Sequence, residues 1–223
     1  MDRDVPRIVE ETNPEIDVAT MTMMVYSLPR DASILKQVDA VVVTPGVGDE
    51  WRVHEAVRLR GDEQLLLVAG QNLGERTAYQ FTPEILQNEF FLSNREGIHI
   101  GGQADHTLHQ AEWLFSKVRE CNISSLALVV SQYHLLRVYL TFLKKFLKEG
   151  INPPMMIPVP APASPETITP ETGVNAWMMS RGEIQRILRY QKQHHVATLE
   201  ELREYLAVLW DSSLLASQRM DTI

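Results

Sequence analysis

Apolar residues along this chain come in short solid runs separated by longer amphipathic stretches. Val38–Thr44 (VDAVVVT), Gln64–Ala69 (QLLLVA), Ile98–Ile100 and Ser125–Val130 (SLALVV) have strand length and are rich in Val, Ile and Leu. Between them lie segments with helical spacing: Glu50–Arg60, a stretch opened by Thr82 as N-cap with Pro83 at the first helical position, Thr107–Glu120, and Leu135–Leu147. Strands alternating with helices predict βαβ units around a mainly parallel sheet. Strands apolar at nearly every position predict a sheet covered on both faces.

The flanks extend this pattern. Residues 1–14 are polar and read as a loose lead-in, and Ile16–Leu28 carries Val18, Met21, Met24 and Val25 at helical spacing until Pro29 stops it. Met155–Val159 reads as a last strand, and Pro158 and Pro160 remove ladder donors, which places it at a sheet edge. A proline-rich loop follows (PAPASPETITPET, 160–172), then a helix over Asn175–Tyr190 carrying Trp177, Ile184, Ile187 and Leu188. Thr198-Leu199-Glu200-Glu201 is a capping-box pattern opening a final helix, with Leu202, Tyr205, Leu206 and Leu209 inward. The expected fold is therefore α/β: a Rossmann-like doubly wound, mainly parallel sheet with flanking helices and a helical C-terminal extension. Three parts are expected: an N-terminal helical segment (1–37), the sheet domain (38–160), and a proline-rich loop with two helices (161–223) that dock on that domain or on a second copy.

Composition narrows the function classes. The chain has 223 residues, 44% of them hydrophobic, which is ordinary globular usage. A formal charge of −8 without a basic stripe argues against nucleic acid as a partner. Lys144, Lys145 and Lys148 read as the solvated face of one helix. The single cysteine, Cys121, rules out an internal disulfide and fits a reducing compartment. No apolar run approaches the ~20 residues that cross a bilayer, and the start Met1-Asp2-Arg3-Asp4 lacks a signal-peptide pattern. The expected setting is cytoplasmic, without a membrane partner, with a homo-oligomer left open.

Open parallel sheets bind ligands beyond the carboxyl ends of their strands, so the segments just after each strand carry the candidate chemistry. The first, Thr44-Pro45-Gly46-Val47-Gly48-Asp49-Glu50-Trp51-Arg52, supplies Gly46, Gly48 and Arg52. It is neither a full dinucleotide fingerprint nor a P-loop. The second supplies Gly70, Gln71, Asn72 and Glu75. The third supplies Asp105, His106 and Thr107, with Thr107 and Gln110 also forming a capping-box pattern. The fourth, Ser131-Gln132-Tyr133-His134-Leu135-Leu136-Arg137, supplies Ser131, Tyr133, His134 and Arg137. Arginines in a first helical turn oppose the helix dipole by ~0.3–1 kcal/mol, which an anionic partner offsets. That partner is either a ligand or a nearby acid such as Asp49, Glu50 or Glu75. The histidines form no zinc-type motif, and Ser131 lacks the glycines of a nucleophile elbow, so no metal site is expected.

These four segments, in this order, resemble the YdcF/SanA/ElyC-like family of bacterial proteins. The matching stretches are VDAVVVTPGVGDEWRVHEAVRL, LLLVAGQNLGE, IHIGGQADHTLHQAEWL and LALVVSQYHLLRVYLTFL, within about residues 38–160. The strand–SxYHxxR–helix segment, with Ser131, Tyr133, His134 and Arg137, is the most specific, and the tail GEIQRILRY…VATLEELREYL resembles that of some soluble members. The resemblance implies a Rossmann-like fold with a polar pocket, and a ligand such as S-adenosylmethionine or a cell-envelope precursor. Departures stand at Pro45-Gly46-Val47-Gly48, at Gly102-Gln103 where the family has an acid, at His106 for Asn and at His109 for Glu. Two functions follow as expectations. One is binding of an anionic or nucleotide-type small molecule. The alternative is a hydrolase or transferase acting on a phosphorylated substrate, with His134 as acid/base and Arg137 and Arg52 holding the anion.

Overall fold

The runs of valine and leucine become strands because each is buried on both faces. The computed structural model describes residues 13–46, 50–70, 80–169 and 172–218. Its strands are β1 (Ala40–Val43), β2 (Leu65–Val68), β3 (Ile98–Ile100), β4 (Ser125–Ser131) and β5 (Met155–Ala161), in the order β3-β2-β1-β4-β5. Every neighbouring pair is parallel. β1 and β4 lie at the centre and are buried along their whole length. The chain thus forms a Rossmann-like α/β fold.

The chain runs outward from β1 to β2 and β3, then crosses back to β4 and β5. With right-handed crossovers, this reversal puts the helices of the two halves on opposite faces. α3 (Glu50–Leu59) packs with α4 (Pro83–Phe90), and α5 (Thr107–Glu120) packs with α6 (Leu135–Lys148). Leu135, Val138, Tyr139, Leu140, Phe142 and Leu143 of α6 have no exposed surface.

α1 runs from Pro14 to Tyr26, capped by the Asn13 side chain on the Glu15 amide, and buries Val18, Met21 and Val25. It starts and stops two residues earlier than its apolar spacing predicts. Pro14 sits in the first turn, where its missing N–H costs nothing, and Leu28 before Pro29 is disfavoured in helical geometry. The short α2 (Ala32–Leu35), capped by Asp31, has no counterpart in the sequence reading. α7 (Ala176–Lys192) and α8 (Leu199–Trp210) both pack against α1, and α7 also meets α6. Both halves of the Thr198/Glu201 capping box form at the start of α8.

β5 lies at an edge, as its prolines require. The Met155 amide bonds inward to the Ser124 carbonyl, so alternate residues, Met156, Pro158 and Pro160, face outward. Both prolines lack a donor. The remaining outward amide, on Met156, donates to the Tyr205 hydroxyl at 2.7 Å, and the Met156 carbonyl accepts from Tyr139 at 3.0 Å. The Tyr205 hydroxyl in turn donates to the Pro154 carbonyl at 2.9 Å. Tyrosines of α6 and α8 thereby close an edge that could otherwise template another strand.

Replacing Tyr205 with Phe keeps the ring but strands a buried N–H and a carbonyl. The expected loss in urea unfolding is about 1–3 kcal/mol. An unchanged midpoint would mean that another group replaces the hydroxyl.

Candidate functional site

The strand order reverses between β1 and β4, and the crevice beyond their carboxyl ends is the site such sheets offer to ligands. Thr44 leaves β1 there, Ser131 ends β4, and Arg52 reaches in from the first turn of α3. Among the described residues, the Arg52 side chain donates to three oxygens. Its Nε donates to Ser131 Oγ at 2.5 Å, Nη1 to the Thr44 carbonyl at 3.0 Å, and Nη2 to the Tyr133 hydroxyl at 3.2 Å. Trp51 Nε1 also donates to Ser131 Oγ, at 2.9 Å. Arg52 is 4% exposed and Ser131 fully buried.

Gly46 is part of this arrangement. A Cβ there would stand 3.0 Å from the Arg52 guanidinium, so a side chain would displace it. Gly70 has a different task. Its φ of +74° is left-handed, and a Cβ would lie 2.7 Å from that of Ala104, so it serves the close approach of two loops. Gly48, Gln71, Asn72 and Glu75 lie outside the described residues.

Thr44 carries the most informative atom in the crevice. The residue is completely buried, and among the described residues its Oγ1 has no hydrogen-bond partner. Buried hydroxyls are seldom left so, because the desolvation is uncompensated.

Arg137 sits in a second cluster and meets an acid the sequence reading did not single out. Its Nε and Nη2 donate to Glu183 of α7 at 2.6 and 3.2 Å, and its Nη1 donates to Thr107 Oγ1 at 3.1 Å. Arg186 adds a bond to Glu183 at 2.8 Å, and His134 Nδ1 lies 3.5 Å from the same carboxylate. The partner of Arg137 is thus neither Asp49, Glu50 nor Glu75. One signal for Glu183 was available: it falls between Met179 and Ile187 on the buried stripe of α7. Admitting it rotates the helix, so Trp177 and Ile184 are 62% and 39% exposed instead of packed.

α5 begins differently from its capping-box pattern. His106 is the N-cap, its Nδ1 accepting from the His109 amide at 3.3 Å. Thr107 is released to accept from Arg137, and Gln110 turns inward to donate to the Pro45 carbonyl at 3.2 Å. The competing demand of the half-buried Arg137 guanidinium decides this. Asp105 stays at the surface, accepting from Gln103 Nε2 at 2.8 Å.

His134 is 9% exposed. Burial, then the Arg137 guanidinium, push its imidazole down to about 4, against the pull of Glu183. Burial works against ionising Glu183, but His134 and Arg137 overcome it and hold the carboxyl well below its usual range. At neutral pH His134 is therefore a neutral ring set against Glu183, while Ser131 Oγ accepts from Arg52 and Trp51. Histidine and serine are thus committed to separate clusters. Among the described residues no group of three or more His, Cys, Asp or Glu side chains could hold a metal ion, and no helix is long and apolar enough to cross a membrane.

Fold and site define a class: an α/β protein with a five-stranded parallel sheet and a buried arginine–hydroxyl crevice at its topological switch point. Comparison with protein-family models finds no match, and comparison with curated proteins finds no relative.

Glu183→Ala should cost about 3 kcal/mol in chemical unfolding, because it leaves the half-buried Arg137 without its acid. A cost near that of a surface substitution would remove this pair from the account of the extension's docking. The His134 shift sets a pH dependence. The unfolded chain takes up the proton near pH 6.5, whereas the folded chain resists until about pH 4. This contribution is complete above pH 6.5 and is lost as pH falls toward 4, by ~3 kcal/mol. Urea titrations at both ends of that range should show a shallower loss in His134→Gln than in the unaltered protein.

Proposed function

We propose that the protein binds an anionic or nucleotide-type small molecule, such as S-adenosylmethionine, in the crevice beyond β1 and β4. The observation that carries this reading is the fully buried hydroxyl of Thr44, unpartnered among the described residues, on the residue whose carbonyl accepts from the Arg52 guanidinium. A ligand hydroxyl or carboxylate would complete that hydroxyl's bonding. Arg52 supplies the attraction for a carboxylate or phosphate, and Ser131 and Tyr133 fix its orientation. Gly46 keeps the approach to the guanidinium free of a side chain. The position at the switch point of a doubly wound sheet supports the same reading. Binding, and not a reaction, is what these groups support, since His134 is engaged with Glu183 in the second cluster.

Calorimetry with S-adenosylmethionine, its demethylated product and common nucleotides tests the proposal against Thr44→Val. The substitution keeps the shape but removes the hydroxyl. The free protein should become more stable, since an unsatisfied buried group is gone. Ligand affinity should fall about tenfold, one hydrogen bond's worth. Silence from all these ligands at millimolar concentration, or equal binding by Thr44→Val, overturns the reading.

A further inference from the structure

A cavity of about 190 Å³ lies between the start of α5 and the end of α7, with Arg137 in its wall. It is lined by His106 and Thr107 from the sheet domain, Arg137 and Thr141 from α6, and Tyr190 and His195 from the extension, with Leu108 and Gln193 at its rim. Among the described residues, no acidic side chain lines it. Asp105, the acid nearest in sequence, is instead engaged with Gln103 and stands 3.9 Å from His109.

The walls present donors. Arg137 spends three N–H groups on Glu183 and Thr107, which leaves the rest of its five for another acceptor. His106 accepts the His109 amide at Nδ1, which leaves its Nε2–H as the ring's donor. Tyr190 holds the guanidinium from one side, 5.7 Å from Cζ to the ring centre. Charge points the same way. Arg137 and Arg186 share one carboxylate, Glu183, and His134 is neutral, so the cluster keeps one positive charge in excess.

We propose that this cavity is an oxyanion site, taking a single phosphate, sulfate or small carboxylate group between Arg137, His106 and His195. It is smaller than the ~300 Å³ or more that holds a drug-sized ligand, so it fits one charged group and not a whole nucleotide. The site is separate from the Thr44–Arg52 crevice. Its walls come from both the sheet domain and the C-terminal extension, so an occupant clamps the extension in place. Binding to the docked form alone then raises thermal stability as ligand concentration rises.

Inorganic phosphate, sulfate and acetate, titrated into the full chain against chloride at matched ionic strength, provide the probes. The readouts are melting temperature and calorimetry. Phosphate should stabilise saturably at millimolar concentration. His106→Asn, which keeps a capping oxygen but loses the ring donor, combined with His195→Ala, should weaken this about tenfold. Both positions are at or near the surface, so the fold survives. Thr44→Val should keep the component of phosphate binding that the double variant loses, whatever phosphate the crevice itself takes through Arg52, which separates the two sites. A phosphorylated metabolite that binds more tightly than phosphate, and loses that advantage in the double variant, identifies the group as part of a larger ligand. Absence of saturable binding, or binding indifferent to the double substitution, or loss in Thr44→Val of the component that the double substitution removes, each overturns the proposal.

Discussion

The paired bonds between Arg137 and Glu183 are the contact on which the arrangement of the C-terminal half depends. Glu183 is 5% exposed and far down the chain from its partner, on a helix reached through a proline-rich loop. A carboxylate so placed is costly unless ionic and hydrogen-bonding partners surround it. Arg137, Arg186 and His134 do so together. The requirement propagates outward. It turns α7 so that Trp177 faces solvent, draws Thr107 away from capping α5, and keeps His134 neutral. It also sets the end of α7, and with it Tyr190 and His195, against the start of α5.

The crevice at the strand ends obeys a different logic. Arg52 is buried there on hydroxyls and a carbonyl, and the glycine beside it keeps the guanidinium uncrowded. Among the described residues the buried Thr44 hydroxyl makes no hydrogen bond, at an expense of about 1–3 kcal/mol. Local rules are broken in this way where function needs a group held ready. The two clusters share one segment, Ser131 to Arg137, which ends β4 and starts α6. Four of its side chains are divided between two neighbours: Ser131 and Tyr133 serve Arg52, while His134 and Arg137 serve Glu183.

Much of this was legible from residue order. Val41–Val43 and Leu126–Val130 could only be strands covered on both faces, since nothing polar interrupts them. Pro158 and Pro160 announced an edge, and Thr198 with Glu201 announced a helix start. That Arg52, Ser131 and Tyr133 would gather was legible, because segments leaving neighbouring parallel strands meet at one edge of the sheet. The Arg137–Glu183 pairing was not, because the partners lie 46 residues apart and one acid on an apolar stripe does not say which cation it meets. Tyr205 was read as core, which its ring is, but its hydroxyl serves a strand edge that periodicity does not reveal.

Hydrophobic period and turn chemistry by themselves determined the elements, their alternation and hence the doubly wound class, because those depend on which faces each segment must bury. Tertiary structure alone decided which polar groups meet. The rotation of α7, the exchange of Thr107 for His106 as a cap, and the unpaired hydroxyl of Thr44 all follow from distances between segments remote in the chain. A buried charge or hydroxyl is satisfied by whatever the fold brings within hydrogen-bond reach, and that reach is a property of packing and not of residue order.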